Sequence, residues 1–469
     1  MNPLEISGEE FRRLGTRAVE IAAQFLDELN QLPTFPHTTG AETESRFNLP
    51  LPVSGKGAAA LEDVAEVLRH SRPPSPRFYG YVLGSGEPVA AIADLLASVL
   101  NQNVTAWRSA PAAASIERAT VSAVAEAIGC RGFQGTLCGG GSAANLMGVA
   151  MAREARLPAN ETGVRPGVVY ASEEIHMSIG KAVALLGLGR QNLRLVPVDS
   201  RFRLMPEALE NAIQEEERAG RRGIVVVASA GTVNTGAIDP LSEVARIARR
   251  HGLWLHVDGA YGALAAIAAP QKFPGLAEAD SISLDAHKWL YQPLDCGCLL
   301  YRDAAAASKA FSHTGDYARA LSGDPIEGYA FFEESIELSR RFRALKLWLS
   351  MGYHGLDAFR RAIADDLRRA RLLAERIAEM PELELLAPVE LSAVCFRHVG
   401  VPGSEQKLDE LNTSILQRII ARGRVYISNA TLRGCFALRA CVVNHRATDA
   451  DVLEVVDEVL AAARELIQE

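Results

Sequence analysis

Short, almost continuously apolar runs alternate with longer segments of helical spacing between about residues 80 and 310. The apolar runs predict strands, because they are short, rich in β-branched residues and bounded by turn residues. The predicted strands are residues 136–138, 168–170, 193–198, 224–228, 253–257, 281–284 and 298–301, and helices are predicted to begin near Ser142, Ser178, Pro206 and Leu241. Strands that are apolar on both faces and separated by helices are typical of parallel sheets. The pattern therefore predicts an α/β fold, with a mostly parallel central sheet covered by helices.

The first 80 residues follow a different pattern. Residues 7–30 predict an amphipathic helix, since Ser7 and Glu10 have the spacing of a capping box and one apolar stripe runs along the segment. A proline-rich stretch follows, with a short helix predicted near residues 59–70. One helix and an extended segment cannot bury their own apolar faces. We therefore expect residues 1–80 to form a helical arm that packs on the partner subunit of a homodimer, with packing on the same chain as the alternative.

After residue 340 the pattern becomes mainly helical, with a few short strands. Helices are predicted at residues 341–351, 356–380 and 449–468, and strands at residues 383–386, 392–397, 425–428 and 436–443. This mixture predicts a smaller α+β domain at residues 341–469, which follows the large α/β domain at residues 81–340.

Composition and charge are those of an ordinary soluble globular protein: 48% of the residues are hydrophobic and 23% are charged. The net charge of −8 without a block of Lys and Arg argues against nucleic-acid binding. No apolar run reaches the about 18 residues of a membrane span, and the charged N-terminus is unlike a targeting peptide. The seven cysteines lack the paired spacing of a metal site, so we expect core thiols, no metal and a cytoplasmic location.

Polar and small residues follow five predicted strands at the ends where parallel sheets bind ligands. Gly139–Ser142 open a helix after the first strand, which predicts a phosphate cradle of backbone amides and a serine hydroxyl. His176 and Thr232 follow two further strands, Asp258 ends the next, and Lys288 follows the last. Each motif alone also fits a turn, a surface histidine or a polar loop. Because all five meet at one edge of the sheet, we predict a single shared site.

Asp258 and Lys288 are the two groups that pyridoxal 5′-phosphate requires. The carboxylate would keep the pyridine nitrogen protonated, and the lysine would form the Schiff base with the aldehyde. Partial burial and the neighbouring His287 would both favour the deprotonated amine that attacks a carbonyl. The sequence therefore predicts pyridoxal phosphate as the cofactor.

Several motifs occur in the order and spacing of one known family. They are Pro76–Tyr81, Pro111–Glu117, Gly140–Ser142, Glu173–His176, His256–Tyr261, His287–Trp289 and Arg340–Lys346. In this combination the chain resembles the pyridoxal-phosphate group II amino-acid decarboxylases, which include aromatic-L-amino-acid, histidine and glutamate decarboxylases. The resemblance spans about residues 75–445. It implies fold type I, a homodimer with the active site at the subunit boundary, and release of carbon dioxide from an L-amino acid to leave the amine.

The resemblance also implies roles for individual residues. Lys288 would carry the internal aldimine, Asp258 would pair with the pyridinium nitrogen, and His176 and Ala260 would lie on opposite faces of the ring. The phosphate contacts would come from Gly141, Ser142 and His287. Tyr317 matches the mobile-loop tyrosine of the family, which is implicated in protonating the carbanionic carbon after carbon dioxide leaves. His176 is a candidate for orienting the substrate carboxylate.

Two positions near the predicted cofactor depart from the family pattern. Asp285 stands where the aromatic enzymes have asparagine, and a carboxylate close to a phosphate is unfavourable unless it turns away or is paired. Val233 stands where a threonine is expected, which leaves Thr232 or Asn234 as candidate partners of the cofactor's phenolic oxygen.

The predicted substrate pocket contains Tyr81, Val82 and Trp107. Val82 and Thr105 stand where the aromatic enzymes have bulky aromatic residues, whereas Tyr81 and Trp107 keep flat apolar surface. An aromatic or uncharged L-amino acid is therefore the expected substrate. The alternatives are an aldehyde-forming oxidative decarboxylase, an aminotransferase or sulfur lyase, and a decarboxylase of glutamate, aspartate or 2,4-diaminobutyrate. A catalytically silent binding module is disfavoured, since Lys288, Asp258, His176 and Tyr317 are all present.

Overall fold

The computed structural model describes residues 2, 4–313 and 324–468. The α-helices are α1 Gly8–Glu28, α2 Gly40–Phe47, α3 Asp63–His70, α4 Pro88–Leu100, α5 Pro111–Ala127, α6 Gly141–Arg156, α7 Met177–Leu185, α8 Pro206–Arg218, α9 Leu241–Arg250, α10 Ala286–Trp289, α11 Ala304–Phe311, α12 Ala344–His354, α13 Leu356–Ala378, α14 Glu405–Arg422 and α15 Asp449–Gln468. The strands are β1 Gln134–Cys138, β2 Val168–Ser172, β3 Leu193–Val196, β4 Gly223–Ser229, β5 Trp254–Asp258, β6 Ser281–Asp285, β7 Gly297–Tyr301, β8 Leu383–Leu385, β9 Ala393–His398, β10 Ser428–Leu432 and β11 Cys435–Cys441. Tyr317 lies outside the described residues, so its role stays a prediction from the sequence.

The central sheet has seven strands in the order β1-β7-β6-β5-β4-β2-β3. The pairs from β3 to β6 are parallel, and β7 is antiparallel to both of its neighbours. Because β1 and β6 both run opposite to β7, they point the same way. The carboxyl ends of β1, β2, β4, β5 and β6 therefore meet at one edge, and the predicted mostly parallel α/β sheet is confirmed.

Helices cover both faces of this sheet, so its strands are buried on both sides, except for the partly exposed edge strand β3. Alternate residues of β4 belong to different core clusters: Val226 and Ala228 pack on one face, and Val225 and Val227 on the other. The first cluster contains residues of α5, α8 and α9, and the second contains residues of α6 and α7. This double burial explains why the strands are continuous apolar runs in the sequence.

A second sheet of four antiparallel strands, in the order β10-β11-β9-β8, lies in the C-terminal part of the chain. Helices α13 and α14 pack on it, and α15 packs on these two helices within the same core cluster. Its edge strand β10 and helix α14 were not predicted from the sequence. Tyr79 joins this cluster, whereas Ala393 and Cys441 join the large one, so both cores extend across the boundary proposed at residue 341. The domain boundaries stay a prediction.

Helix α1 has no buried residue, although it carries apolar side chains. Ser7 caps the helix by accepting a hydrogen bond from the backbone N–H of Glu10 at 3.1 Å. The second hydrogen bond of a capping box would join the Glu10 carboxylate to the backbone N–H of Ser7. Here the Glu10 carboxylate accepts a hydrogen bond from Arg13 Nε at 2.8 Å instead. Among the described residues, no helix combines the length and the apolar character that a membrane crossing requires.

Candidate active site

A cavity of about 470 Å³ lies at the carboxyl edge of the central sheet. Most of the residues predicted for the site line it together: Tyr81, Val82, Gly141, Ser142, His176, Asp258, Ala260, His287 and Lys288. Those from Gly141 to Lys288 converge because they end or follow strands whose carboxyl ends meet at the same edge, whereas Tyr81 and Val82 come from the segment before α4.

The loop between β1 and α6 forms one wall of the cavity. Gly140 adopts φ 124°, a conformation that L side chains rarely adopt, and Gly141 is the first residue of α6. A Cβ atom built on Gly141 would lie 2.7 Å from the Cβ of Ala260, so any larger residue would crowd this wall. The amides at the start of α6 and the Ser142 hydroxyl provide donors in a field of positive potential, which suits a phosphate.

Asp258, the last residue of β5, presents a buried carboxylate to the cavity. Its Oδ1 accepts hydrogen bonds from Ser283 Oγ at 3.0 Å and from the backbone N–H of Ala260 at 3.3 Å. Its Oδ2 accepts from Asn145 Nδ2 at 2.9 Å. These donors fix the orientation of the carboxylate, which could then pair with a protonated pyridine nitrogen.

A chain of hydrogen bonds behind Asp258 fixes the orientation of Asn145. The indole of Trp254 can only donate, and it donates to Ser281 Oγ at 2.8 Å. The Ser281 hydroxyl is then free to donate to His256 Nδ1 at 2.8 Å, so His256 Nε2 carries the proton that Asn145 Oδ1 accepts at 2.9 Å. Complete burial lowers the pKa of His256 to about 4, in agreement with a neutral ring. Asn145 therefore turns its amide donors toward Asp258.

His176 is held by capping helix α7. Its Nδ1 accepts from the backbone N–H of Ser178 at 3.2 Å and lies 2.8 Å from Ser178 Oγ. Since Asn145 Nδ2 donates to that same oxygen at 2.9 Å, the Ser178 hydroxyl proton points to His176 Nδ1. Burial lowers the pKa of His176, so the neutral ring with its proton on Nε2 is favoured. Such a ring can lie flat on a planar cofactor.

Lys288 lies in the short helix α10, directly after β6. Its Nζ is 2.9 Å from Oδ2 of Asp285, whose carboxylate is only 3% exposed. His287 Nδ1 accepts from the backbone N–H of Cys296 at 3.2 Å, and its Nε2 lies 3.5 Å from the same Asp285 oxygen. Burial lowers the pKa of His287. Asp285 is therefore paired with Lys288 rather than turned away from the cradle.

The loop after β4 differs from the expectation. Thr232 is buried away from the cavity, where its hydroxyl lies 3.0 Å from that of Thr235, and Val233 lines the cavity instead. The side chain of Asn234 donates to Glu174 at 3.1 Å, so it is also engaged elsewhere. Residues 232–235 lie in a turn, so the alternation of side chains along a strand does not predict which of them faces the cavity. Neither residue supports the predicted contact with the phenolic oxygen.

Trp107 does not line the cavity of its own chain. It is half-buried against the large core cluster, and its backbone N–H donates to the carbonyl oxygen of Tyr329 at 3.0 Å. Its place in the substrate pocket therefore has no support within one subunit.

Arg439 was missed by the sequence analysis, although a charged residue inside the apolar run of β11 is a signal. It is 4% exposed and lines the cavity. Its Nε donates to the carbonyl oxygen of Asn234 at 3.0 Å, and Nη1 donates to Ser428 Oγ at 3.1 Å. Among the described residues, Nη2 has no partner. A buried guanidinium with a free donor needs an anion or water to satisfy it.

The residues around the cavity fit pyridoxal phosphate on three counts. An anion cradle lies at the start of α6, the Asp258 carboxylate lies at a second wall, and the Lys288 amine lies at a third. The family model of the pyridoxal-dependent decarboxylase conserved domain matches residues 59–399. The chain belongs to this family. It is a pyridoxal-phosphate-dependent decarboxylase, and the predicted family, fold and cofactor are confirmed.

Relatives and solved structures agree with this membership. The aromatic-L-amino-acid decarboxylase of Bacillus atrophaeus is 32% identical, over 99% of this chain and 97% of its own. The phenylacetaldehyde synthase of Petunia hybrida is 31% identical, over 92% of this chain and 90% of its own. A crystal structure of Oryza sativa TDC with PLP and tryptamine matches with a TM-score of 0.93 and 26% identity, over 99% of both chains.

Proposed function

We propose that the protein converts an aromatic or uncharged L-amino acid into the amine and carbon dioxide. The observation that carries this proposal is the small number of cations in the cavity. Of the described residues that line it, only Lys288 and Arg439 are lysine or arginine, and the pKa values of His176 and His287 are lowered by burial. We assign Lys288 to the cofactor and Arg439 to the α-carboxylate, which leaves no such cation for the second carboxylate of glutamate or aspartate.

When bound, pyridoxal phosphate supplies a sink for the electron pair that carbon dioxide leaves behind. Asp258 keeps the proton on the pyridine nitrogen, and Lys288 holds the aldehyde carbon. The amides of Gly141 and Ser142 hold the phosphate at the start of α6. His176 and Ala260, which both line the cavity, would hold the ring of the cofactor between them.

Arg439 is proposed to orient the substrate carboxylate, in place of His176. Loss of carbon dioxide requires a carboxylate held in one fixed orientation, and Arg439 would supply that hold. The free Nη2 of Arg439 provides a charge-assisted donor for it, on an arginine that Asn234 and Ser428 fix in place. Tyr81 and Val82 then lie at the cavity wall available to the side chain.

Replacing Arg439 with glutamine should lower kcat/KM for the amino acid by about 100-fold or more, since a charge-assisted bond to a buried carboxylate is lost. Binding of the product amine, which has no carboxylate, should change by less than about threefold. Steady-state kinetics and amine inhibition constants check this. Arg433→Gln, at the exposed turn between β10 and β11, is the control and should behave like the wild type. Equal weakening of amine and amino acid would rule out the carboxylate role.

Carbon dioxide release from each proteinogenic amino acid, dihydroxyphenylalanine, 2,4-diaminobutyrate and cysteine sulfinate tests the proposed substrate class. An aromatic or uncharged amino acid should turn over fastest, with equal amounts of amine and carbon dioxide. Faster turnover of glutamate than of every aromatic substrate would overturn the proposal. Ammonia and peroxide in place of amine would favour an aldehyde-forming reaction, as in the named activity of the Petunia hybrida relative. The presence of Tyr317 supports the amine.

A homodimer in the cytoplasm is also proposed. Helix α1 has no buried residue, and α4 exposes a row of apolar side chains: Ile92, Leu95, Leu96, Val99 and Leu100. Apolar surface of this extent is typical of an interface between subunits. Light scattering of the active enzyme should give twice the chain mass of 50.5 kDa. An active species of one chain mass would contradict the dimer.

A further inference from the structure

Asp285 is an unexpected negative charge at the wall of the cavity that should receive a phosphate. It ends β6, which pairs with β5 on one side and β7 on the other, so its backbone has little freedom to move away. Its carboxylate is buried, and Oδ1 has no hydrogen-bond partner among the described residues.

The carboxylate lies against the glycines of the cradle. A Cβ atom built on Gly141 would be 3.0 Å from Oδ2 of Asp285, and one built on Gly140 would be 3.8 Å from Oδ1. The amides of this loop are the proposed donors to the phosphate. A phosphate bound there therefore lies close to a second negative charge, at a place where water cannot screen the repulsion well.

Lys288 is the cation that compensates Asp285, with Nζ at 2.9 Å from Oδ2. His287 Nε2 is farther away at 3.5 Å, and burial lowers the pKa of that ring, which favours its neutral form. Asp295 is a second carboxylate near the cradle, with Oδ2 at 3.5 Å from a Cβ built on Gly139, but its cation is an arginine. Its Oδ2 accepts a hydrogen bond from Arg343 Nε at 3.0 Å. Arg343 remains a cation beside Asp295 when the cofactor binds. Asp285 differs, because the amine of its partner Lys288 is the group that attacks the aldehyde.

We propose that Asp285 is the counter-ion of Lys288 in the cofactor-free enzyme, and that it weakens the hold on the phosphate once Lys288 engages the aldehyde. This inference rests on the proposed assignment of Lys288. The carboxylate keeps the lysine anchored at the cavity wall before the cofactor arrives. Afterwards it loses its cation and repels the phosphate, which makes the cofactor exchangeable rather than permanently held.

Asp285→Asn removes the charge and preserves the shape of the side chain. Neutralisation should lower the Kd of the cofactor-free enzyme for pyridoxal phosphate by about tenfold or more, because the repulsion is removed. The Kd for pyridoxal, which lacks the phosphate, should fall clearly less than the Kd for pyridoxal phosphate, since pyridoxal gains only from the loss of the lysine pair. Absorbance titration of the cofactor-free enzyme with each aldehyde measures both constants without any turnover.

Two further variants separate the charge from other effects. Asp285→Ser removes the charge without adding an amide donor and should also favour pyridoxal phosphate over pyridoxal. Asp295→Asn removes another carboxylate near the glycine cradle but leaves the pair of Asp285 and Lys288 intact, so it should change the Kd for pyridoxal phosphate by less than about threefold. Thermal unfolding of each variant confirms that it is folded before titration.

The inference is overturned if Asp285→Asn binds pyridoxal phosphate no more tightly than the wild type, or if pyridoxal gains equally. It is also overturned if only asparagine and not serine produces the gain, or if Asp295→Asn produces the same gain. Failure of the underlying site assignment would look different. In that case borohydride would fix pyridoxal phosphate to a lysine other than Lys288 in the wild type.

Discussion

Replacing Lys288 with alanine should abolish turnover, with a loss of more than about 10³-fold in kcat. The same change should prevent borohydride from fixing pyridoxal phosphate covalently to the chain. The reason is geometric, because Lys288 is the only lysine among the described residues that line the cavity. Mass spectrometry of the borohydride-treated protein measures the covalent product, and carbon dioxide release measures turnover.

Lys181→Ala is the matched control for this variant, since Lys181 lies on α7 near His176 but is exposed to solvent. It should retain both turnover and covalent labelling. A label on Lys181 or on any other lysine in the wild type would show that the Schiff-base lysine has been assigned wrongly. Retention of the label by Lys288→Ala would lead to the same conclusion.

Most strands of the central sheet could be predicted because they are short apolar runs buried on both faces; the edge strand β3 is partly exposed. Helix α5 was missed, since many of its buried residues are alanines, such as Ala113, Ala114 and Ala125. Alanine is only weakly hydrophobic, so a buried stripe of alanines differs little in hydrophobicity from the exposed face of the helix. The helical period of apolar positions in the sequence is therefore weak. Helix α14 is mostly polar and buries few side chains, and the edge strand β10 is partly exposed. Their positions depend on packing that a local pattern does not contain.

The sequence predicted those site residues that lie at the carboxyl ends of parallel strands. His176, Asp258 and Lys288 meet in the cavity for that reason. Asn145 and Arg439 could not be predicted in the same way, because one lies within α6 and the other comes from the second sheet. The pairing of Asp285 with Lys288 likewise depends on side-chain orientation. The positions of these side chains depend on packing between segments that are distant in the sequence.

Asp258→Asn should retain part of the cofactor and lose most of the activity, by about 10²-fold or more in kcat/KM. A neutral amide cannot keep the proton on the pyridine nitrogen, so the electron sink weakens. The hydrogen bonds around the residue add a second cost. Ser283 and the backbone N–H of Ala260 donate to one carboxylate oxygen, and Asn145 donates to the other. In the asparagine variant one of these oxygens becomes an NH2 group, which then faces another hydrogen-bond donor. This mismatch should destabilise the fold by about 1–3 kcal/mol.

Asp239→Asn separates the two effects, because Asp239 is an equally buried carboxylate close to the same sheet edge but outside the cavity. Its oxygens accept from the backbone N–H groups of Leu204 and Ser229, both at 2.7 Å. The same donor mismatch should lower the Tm of Asp239→Asn while kcat/KM per folded molecule stays near the wild-type value. Kinetics and thermal unfolding of both variants make the comparison. Near-wild-type turnover of Asp258→Asn would remove the aspartate from the mechanism, and an equal loss in Asp239→Asn would attribute the effect to packing.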